Sequence, residues 1–192
     1  IRDRYIRMLF TMVISLYTSR VILQVLGADD FGIYNVVGGV VVLFSFLTNA
    51  MTSSTQRFLN YNFGLKNESK VSHIFNVSIL THFTIFLLVL LLSETVGLWF
   101  VMTQLNIPVG RETATMWVYQ MSVVTTLIGI MVIPYRASII AAERMSIFAY
   151  VSILEVALKL VVVLVLSYMS FDNLVMYSIL LTLVAMLNFF IY

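Results

Sequence analysis

Six stretches of about 20 or more mostly apolar residues, separated by short polar breaks, leave this chain few ways to fold. They cover residues 8–26, 33–59, 74–102, 114–133, 147–169 and 174–192. Each is long enough as a helix to cross about 30 Å of hydrocarbon. None shows the period-two alternation of a membrane barrel strand. Only 10% of the 192 residues are charged, against about 25% in an ordinary soluble domain. With a mean hydropathy of +1.01, most of the chain requires lipid as its solvent. Lipid offers no partner to an open backbone, so the spans must be helical. The expected fold class is an all-α polytopic membrane protein, with residues 1–192 forming one six-helix unit.

The breaks carry turn and stop signals. "GADDFG" supplies glycines to end one helix and two acids that hydrocarbon rejects. "NYNFGLKNESK" is polar, "TQLNIPVGRE" holds Pro108 and Gly110, and "SFDN" has the composition of a tight turn. "PYRASIIAAERM" opens with Pro134 and predicts a short amphipathic helix along the membrane interface. "IRDRYIR" before an apolar run resembles a signal peptide. The run is long, however, lacks a small-residue cleavage site and is followed by five more spans. It predicts a retained first helix. The chain begins with Ile and stops within the apolar "LNFFIY", which reads as part of a longer protein.

Lys and Arg set the expected orientation. With the N-terminus in the cytoplasm, the inner segments hold Arg2, Arg4, Arg7, Arg57, Lys66, Lys70, Arg136 and Arg144. The outer loops then hold only Arg111, beside Asp29, Asp30, Glu112 and Asp172.

Arg20, Glu155 and Lys159 lie at membrane depth, where each costs about 2.5–3.5 kcal/mol on insertion scales. Arg20 is about 9 Å from the end of its span. It either snorkels to the interface or faces a hydrated cavity and binds an anion, with Tyr17 and Gln24 on the same face. Glu155 and Lys159, at i,i+4 with the acid first, suit an intrahelical ion pair. They read equally as a neutralised structural pair and as a titratable or phosphate-binding pair on a cavity wall, with Glu155 the candidate for ion coupling. Ser152 shares their face. Gly38, Ser45, Asn49, Thr52 and Gln56 form one helical stripe, and Tyr119, Ser122, Thr126 and Gly129 form another. Taken singly, such stripes are commonly helix-packing surfaces; together with the charges they suggest a polar cavity.

Other chemistry finds little support. His73 and His82 lack the i,i+4 spacing of a helical metal pair, so His73 reads as interfacial and His82 as packed. There is no cysteine, phosphate-binding loop, dinucleotide fingerprint or nucleophile elbow. No metal site, cofactor or enzyme activity is expected. The net charge of +2 carries no nucleic-acid signal.

The stretches "SRVILQVLGADDFGIYNVVGGVV", "AMTSSTQRFLNYNFG" and "PYRASIIAAERMSIFAYVSILEVALKL" resemble the N-terminal half of a Wzx-type flippase, in the polysaccharide-transporter branch of the MATE/MOP superfamily. The resemblance implies one lobe of a two-lobed transporter, the C-terminal lobe lying beyond this chain. It implies alternating-access flipping of an undecaprenyl-diphosphate-linked oligosaccharide across the bacterial inner membrane, for lipopolysaccharide or capsule synthesis. An H+ or Na+ gradient often couples to such transport. Family members place arginines in the first two helices, a placement Arg20 and Arg57 match. Paired guanidinium donors suit phosphate oxygens, while amide and hydroxyl groups suit sugars. Arg20, Gln24, Asn49, Arg57 and Lys159 are therefore the expected cargo contacts, with membrane lipids around them. The competing readings are a MATE-like cation-coupled drug exporter, a non-transporting membrane scaffold and, third, a membrane enzyme whose catalytic loop lies elsewhere.

Overall fold

A single glycine divides the first helix. The computed structural model describes residues 2–43, 46–65, 68–168 and 171–192, without the side chains of 2–11, 46–52 and 68. Helix α1 (Arg2–Leu43) is interrupted at Gly27, whose φ of 78° and ψ of 170° are not helical. That backbone region is essentially restricted to glycine. The loop expected at "GADDFG" is thus one residue long, and Gly32 is helical. The acids explain the early restart. Asp29 and Asp30 fall in the first turn of the second arm, where the helix dipole favours negative charge.

The second expected span, 33–59, falls on the second arm of α1 and on α2, with residues 44 and 45 outside the described ones. The second arm of α1 begins directly after Gly27 and is described to Leu43, and α2 is described over Phe46–Gly64. The third span is one helical rod of three parts: α3 (Glu68–Leu92), a π-helical turn (Ser93–Gly97) and α4 (Leu98–Thr103). The π turn presents the Ser93 carbonyl sideways, and the buried Tyr119 hydroxyl donates to it at 2.6 Å. Helix α5 (Glu112–Ala141) then returns through the bundle, followed by α6 (Met145–Leu166) and α7 (Asn173–Ile191). Asp172 caps α7 by accepting from the Leu174 and Val175 amides, as the turn expected at "SFDN" requires.

One expectation is corrected. Pro134 does not start an interfacial helix; it lies inside α5, which continues to Ala141. A proline inside a helix removes one backbone donor and normally kinks or ends it. Here Pro134, Ala137 and Ala141 are buried, and Ala137 and Ala141 pack with Leu59. That packing keeps the extra turns on the bundle.

All described residues outside turns and loops are helical, and the protein is an all-α polytopic membrane protein. Among the described residues, the segments long and apolar enough to cross a membrane are Met12–Leu43, Ser69–Gln104, Glu112–Ala141, Met145–Leu166 and Asn173–Ile191. Helix α5 is central, touching α1, α2, α3, α6 and α7. Val37, Val41, Val118, Tyr119, Val163 and Leu174 form the heart of the core. Large apolar residues such as Leu80, Leu91, Trp99, Val161 and Phe190 face outward, as a lipid-solvated surface demands. Helices α5 and α7 also meet through hydroxyls. Thr125 and Thr182 are 2.9 Å apart, and Thr182 reaches the Met121 carbonyl at 3.2 Å.

One end of the bundle is fastened by charge. Arg111, just before α5, donates through Nη2 to Asp30 at 2.6 Å and through Nη1 to Asp172 at 2.5 Å. Asn173 adds a bond to the Val25 carbonyl at 3.4 Å. The α1 break and the starts of α5 and α7 therefore share one rim.

Two stability measurements check this account. Gly27→Ala should cost about 1–3 kcal/mol from backbone strain, while Gly32→Ala, helical and facing open space, should leave the detergent melting temperature unchanged or raise it. Arg111→Met should destabilise by about 1–3 kcal/mol, below the cost of breaking a fully buried pair because Arg111 is partly exposed. Adding Asp30→Asn should restore part of that loss, because the Asp30 side chain is only 8% exposed and its bare charge is the penalty.

Candidate functional site

One group of polar side chains at membrane depth meets between α1, α5, α6 and α7. A pocket of about 310 Å³ there is lined by Arg136, Glu155, Lys159, Asn188, Tyr34 and Tyr177, among others. Glu155 sits about 15 Å from either end of α6 at the helical rise per residue. Lys159 Nζ donates to Glu155 Oε1 at 2.7 Å, one turn away. The i,i+4 pair is formed, and it also faces the pocket. Both readings of it fit the geometry.

Arg136 enters because α5 runs through Pro134. Its guanidinium carbon lies 5.3 Å from the centre of the Tyr192 ring and 5.9 Å from that of Phe148. Its Nε is buried with no hydrogen-bond partner. Asn188, buried on α7, also lines the pocket and has an unpartnered Oδ1. A buried donor and a buried acceptor without partners each carry a cost of about 1–3 kcal/mol. Two ammonium or guanidinium charges and one carboxylate line the wall, a net charge of +1 (Arg136 and Lys159 against Glu155).

A smaller pocket of about 130 Å³ adjoins the first and shares Tyr34, Thr125 and Leu181 with it. Gly38, Ser122 and Thr126 line it, and Gly129 lines the larger one. Much of the α5 stripe thus faces one crevice. Tyr119 is the exception, buried against Ser93. Above the crevice the Tyr34 and Tyr177 rings meet edge to face, 4.9 Å between centres, on the side of the Arg111 rim.

The other expected contacts lie elsewhere. Arg20 and Gln24 share an exposed face of the first α1 arm with Tyr17 and do not line the pocket that holds Lys159. Arg57 lines a separate groove of about 630 Å³ on α2, with Ser53, Ser54, Phe58 and Tyr61. The side chains of Ser45, Asn49 and Thr52 lie outside the described residues. Ser152 bonds back to the Phe148 carbonyl at 2.7 Å. His82 is fully buried, Nδ1 2.8 Å from the Ser78 carbonyl, a packed histidine as expected. Among the described residues no three His, Asp or Glu converge as metal ligands.

Sequence reasoning missed Arg136, Asn188, Tyr34 and Tyr177. A signal existed on α7: Tyr177, Leu181, Ala185 and Asn188 follow steps of 4, 4 and 3 along one face. Glu94 also escaped notice inside the third span; it accepts from Gln120 at 3.3 Å in the π turn.

Because the chain has no cysteine, hydration of the pocket is directly testable. A cysteine at Gly129 or Ala185 should react with a polar thiol reagent, while one at Leu91 or Leu183, on the apolar exterior, should not. Equal reactivity at all four positions would mean the pocket is no wetter than the lipid face.

The chain matches no family model, no curated protein and no solved structure.

Proposed function

We propose that this chain is a cargo-binding lobe of a flippase of the polysaccharide-transporter type, moving an oligosaccharide linked to undecaprenyl diphosphate across the bacterial inner membrane. The observation that carries the reading is the pocket of Arg136, Lys159, Glu155 and Asn188. A net positive wall at membrane depth favours an anion, since each unneutralised charge there is expensive. The unpartnered Arg136 N–H and Asn188 carbonyl ask for a ligand that both accepts and donates. A phosphate next to a sugar hydroxyl meets both demands. The sequence resemblance points to the same cargo.

In this reading Arg136 and Lys159 hold phosphate oxygens, and Asn188 accepts from a sugar hydroxyl. Tyr34 and Tyr177 close the crevice toward the rim. Arg20, Gln24 and Arg57 lie outside this pocket and meet cargo only at its approaches, and Asn49 lies on the α2 side. The N-terminus lies in the cytoplasm, supported by the loop and terminal cations Arg2, Arg4, Arg7, Lys66, Lys70 and Arg144 against Arg111 at the rim. A MATE-like exporter of cations is disfavoured by the same wall charge. A scaffold without transport is the second reading, favoured by the closed Glu155–Lys159 pair and by the hydroxyl contacts that pack α5 on α7.

The test is complementation by the full-length protein in cells lacking their own flippase. Losing one charge-assisted contact costs about 1.5–3 kcal/mol, or about ten- to a hundredfold in affinity. Arg136→Ala and Lys159→Ala should each reduce surface polysaccharide on that scale at normal expression, with Arg136→Lys intermediate. Full export by both alanine variants would refute the assignment of cargo to this pocket.

A further inference from the structure

We propose that the groove on α2 is a binding site for the headgroup of an anionic phospholipid, held by Arg57; this stands independently of the cargo reading above. The position of α2 comes first. Helix α5 has 30 residues, about 45 Å at the helical rise, and a bilayer with its headgroups is about 40–45 Å thick. With the Arg111 rim at one surface, the last turn of α5 reaches the other. Leu59 packs there, against Ala137 and Ala141, and Arg57 precedes Leu59 by two residues. Arg57 is thus at headgroup level, on the membrane face opposite the rim. The composition of α2 agrees, since it is not among the described segments apolar enough to cross a membrane.

The chemistry of the groove selects the ligand. Ser53, Ser54, Arg57, Phe58 and Tyr61 line its volume of about 630 Å³, and all five are exposed. The neighbouring α3 exposes Val77, Leu80 and Leu87, a surface for acyl chains, whereas α2 exposes a cation, hydroxyls and rings. Arg57 has no ion pair among the described residues. Among those residues no carboxylate lines the groove, so its charge is +1. A phosphodiester brings one negative charge and oxygens that suit paired guanidinium donors. The Ser54 hydroxyl offers a further donor. Phe58 and Tyr61 give the glycerol and the first methylenes an amphipathic wall, of the kind aromatic side chains form at this level of a membrane. A zwitterionic headgroup adds an ammonium that meets no carboxylate here, so an anionic lipid is preferred. Cargo that approaches along α2 then competes with a bound lipid instead of finding Arg57 bare.

Native mass spectrometry of the purified, delipidated full-length protein reads the binding directly. The probes are phosphatidylglycerol, phosphatidylethanolamine and the chain-free headgroup glycerophosphoglycerol. Wild type should bind phosphatidylglycerol more tightly than either of the others. Arg57→Gln should weaken that binding about ten- to a hundredfold, the loss of one charge-assisted contact, and abolish the preference over phosphatidylethanolamine. Arg57→Lys should keep part of the affinity. Arg144→Gln, which removes an exposed cation outside the groove, should leave it unchanged. All three variants should melt like wild type in lipid-free detergent. Equal binding of the two lipids by wild type, or equal losses in Arg57→Gln and Arg144→Gln, would overturn the inference. Glycerophosphoglycerol binding as tightly as the lipid would make the groove a site for soluble phosphate and overturn the lipid assignment. If a short-chain prenyl–diphosphate diester depended on Arg57 while phosphatidylglycerol did not, the groove would belong to cargo and the inference would fall.

Discussion

One guanidinium sets the register of this bundle. Arg111 reaches Asp30 after the α1 break and Asp172 before α7, so three helices start their passage through the membrane from a common level. Everything beneath depends on that level. It brings Tyr34 against Tyr177 and places Gly38 and Ser122 on one small pocket. It also helps hold α7 where Thr182 meets Thr125. A membrane offers little hydrophobic force to align one helix with another, because lipid tails are as apolar as leucine. Polar contacts at the ends and small-residue contacts within must do the aligning. The Arg111 bridge supplies the first and the α5–α7 hydroxyls supply the second.

How much of this could be read from the chain follows from the range of each interaction. The spans were legible because apolar length is a local property, and the Glu155–Lys159 pair because a helix fixes the i,i+4 relation. Gly27 was legible as a break, but the length of the break was not. Asp29 and Asp30 looked like loop residues, whereas they serve as the acidic first turn of the next arm. Pro134 misled for a related reason. Proline usually marks an end, yet packing of Ala137 and Ala141 with Leu59 carries α5 past it. That extension moves Arg136 from a presumed loop into the wall of the pocket. The Arg111 bridge joins residues 81 and 61 apart in sequence, a relation no periodicity encodes.

Charges at membrane depth in this protein meet the same problem in different ways. Arg20 stands on an exposed face without an ion pair among the described residues, about 9 Å from the α1 break, a distance an arginine shortens by snorkelling. Glu155 has no such exit, with about 15 Å of helix on either side. It must be neutralised where it stands, and Lys159 does this within the same helix.

That difference bears on why the pair is there at all. A structural pair could be replaced by two leucines with little loss, because desolvation offsets most of the attraction between buried ions. Glu155 and Lys159 are not sealed between helices, however. They lie 27% and 46% exposed on the wall of a pocket that also holds a buried arginine nitrogen and a buried asparagine oxygen without hydrogen-bond partners. Polar groups gathered around one pocket with two of their atoms unsatisfied are a poor way to build stability. A lone lysine would stand uncompensated at mid-membrane; a lysine paired one turn away does not. Under the function proposed above, the pair lowers the cost of holding a lysine ready for an anion at mid-membrane.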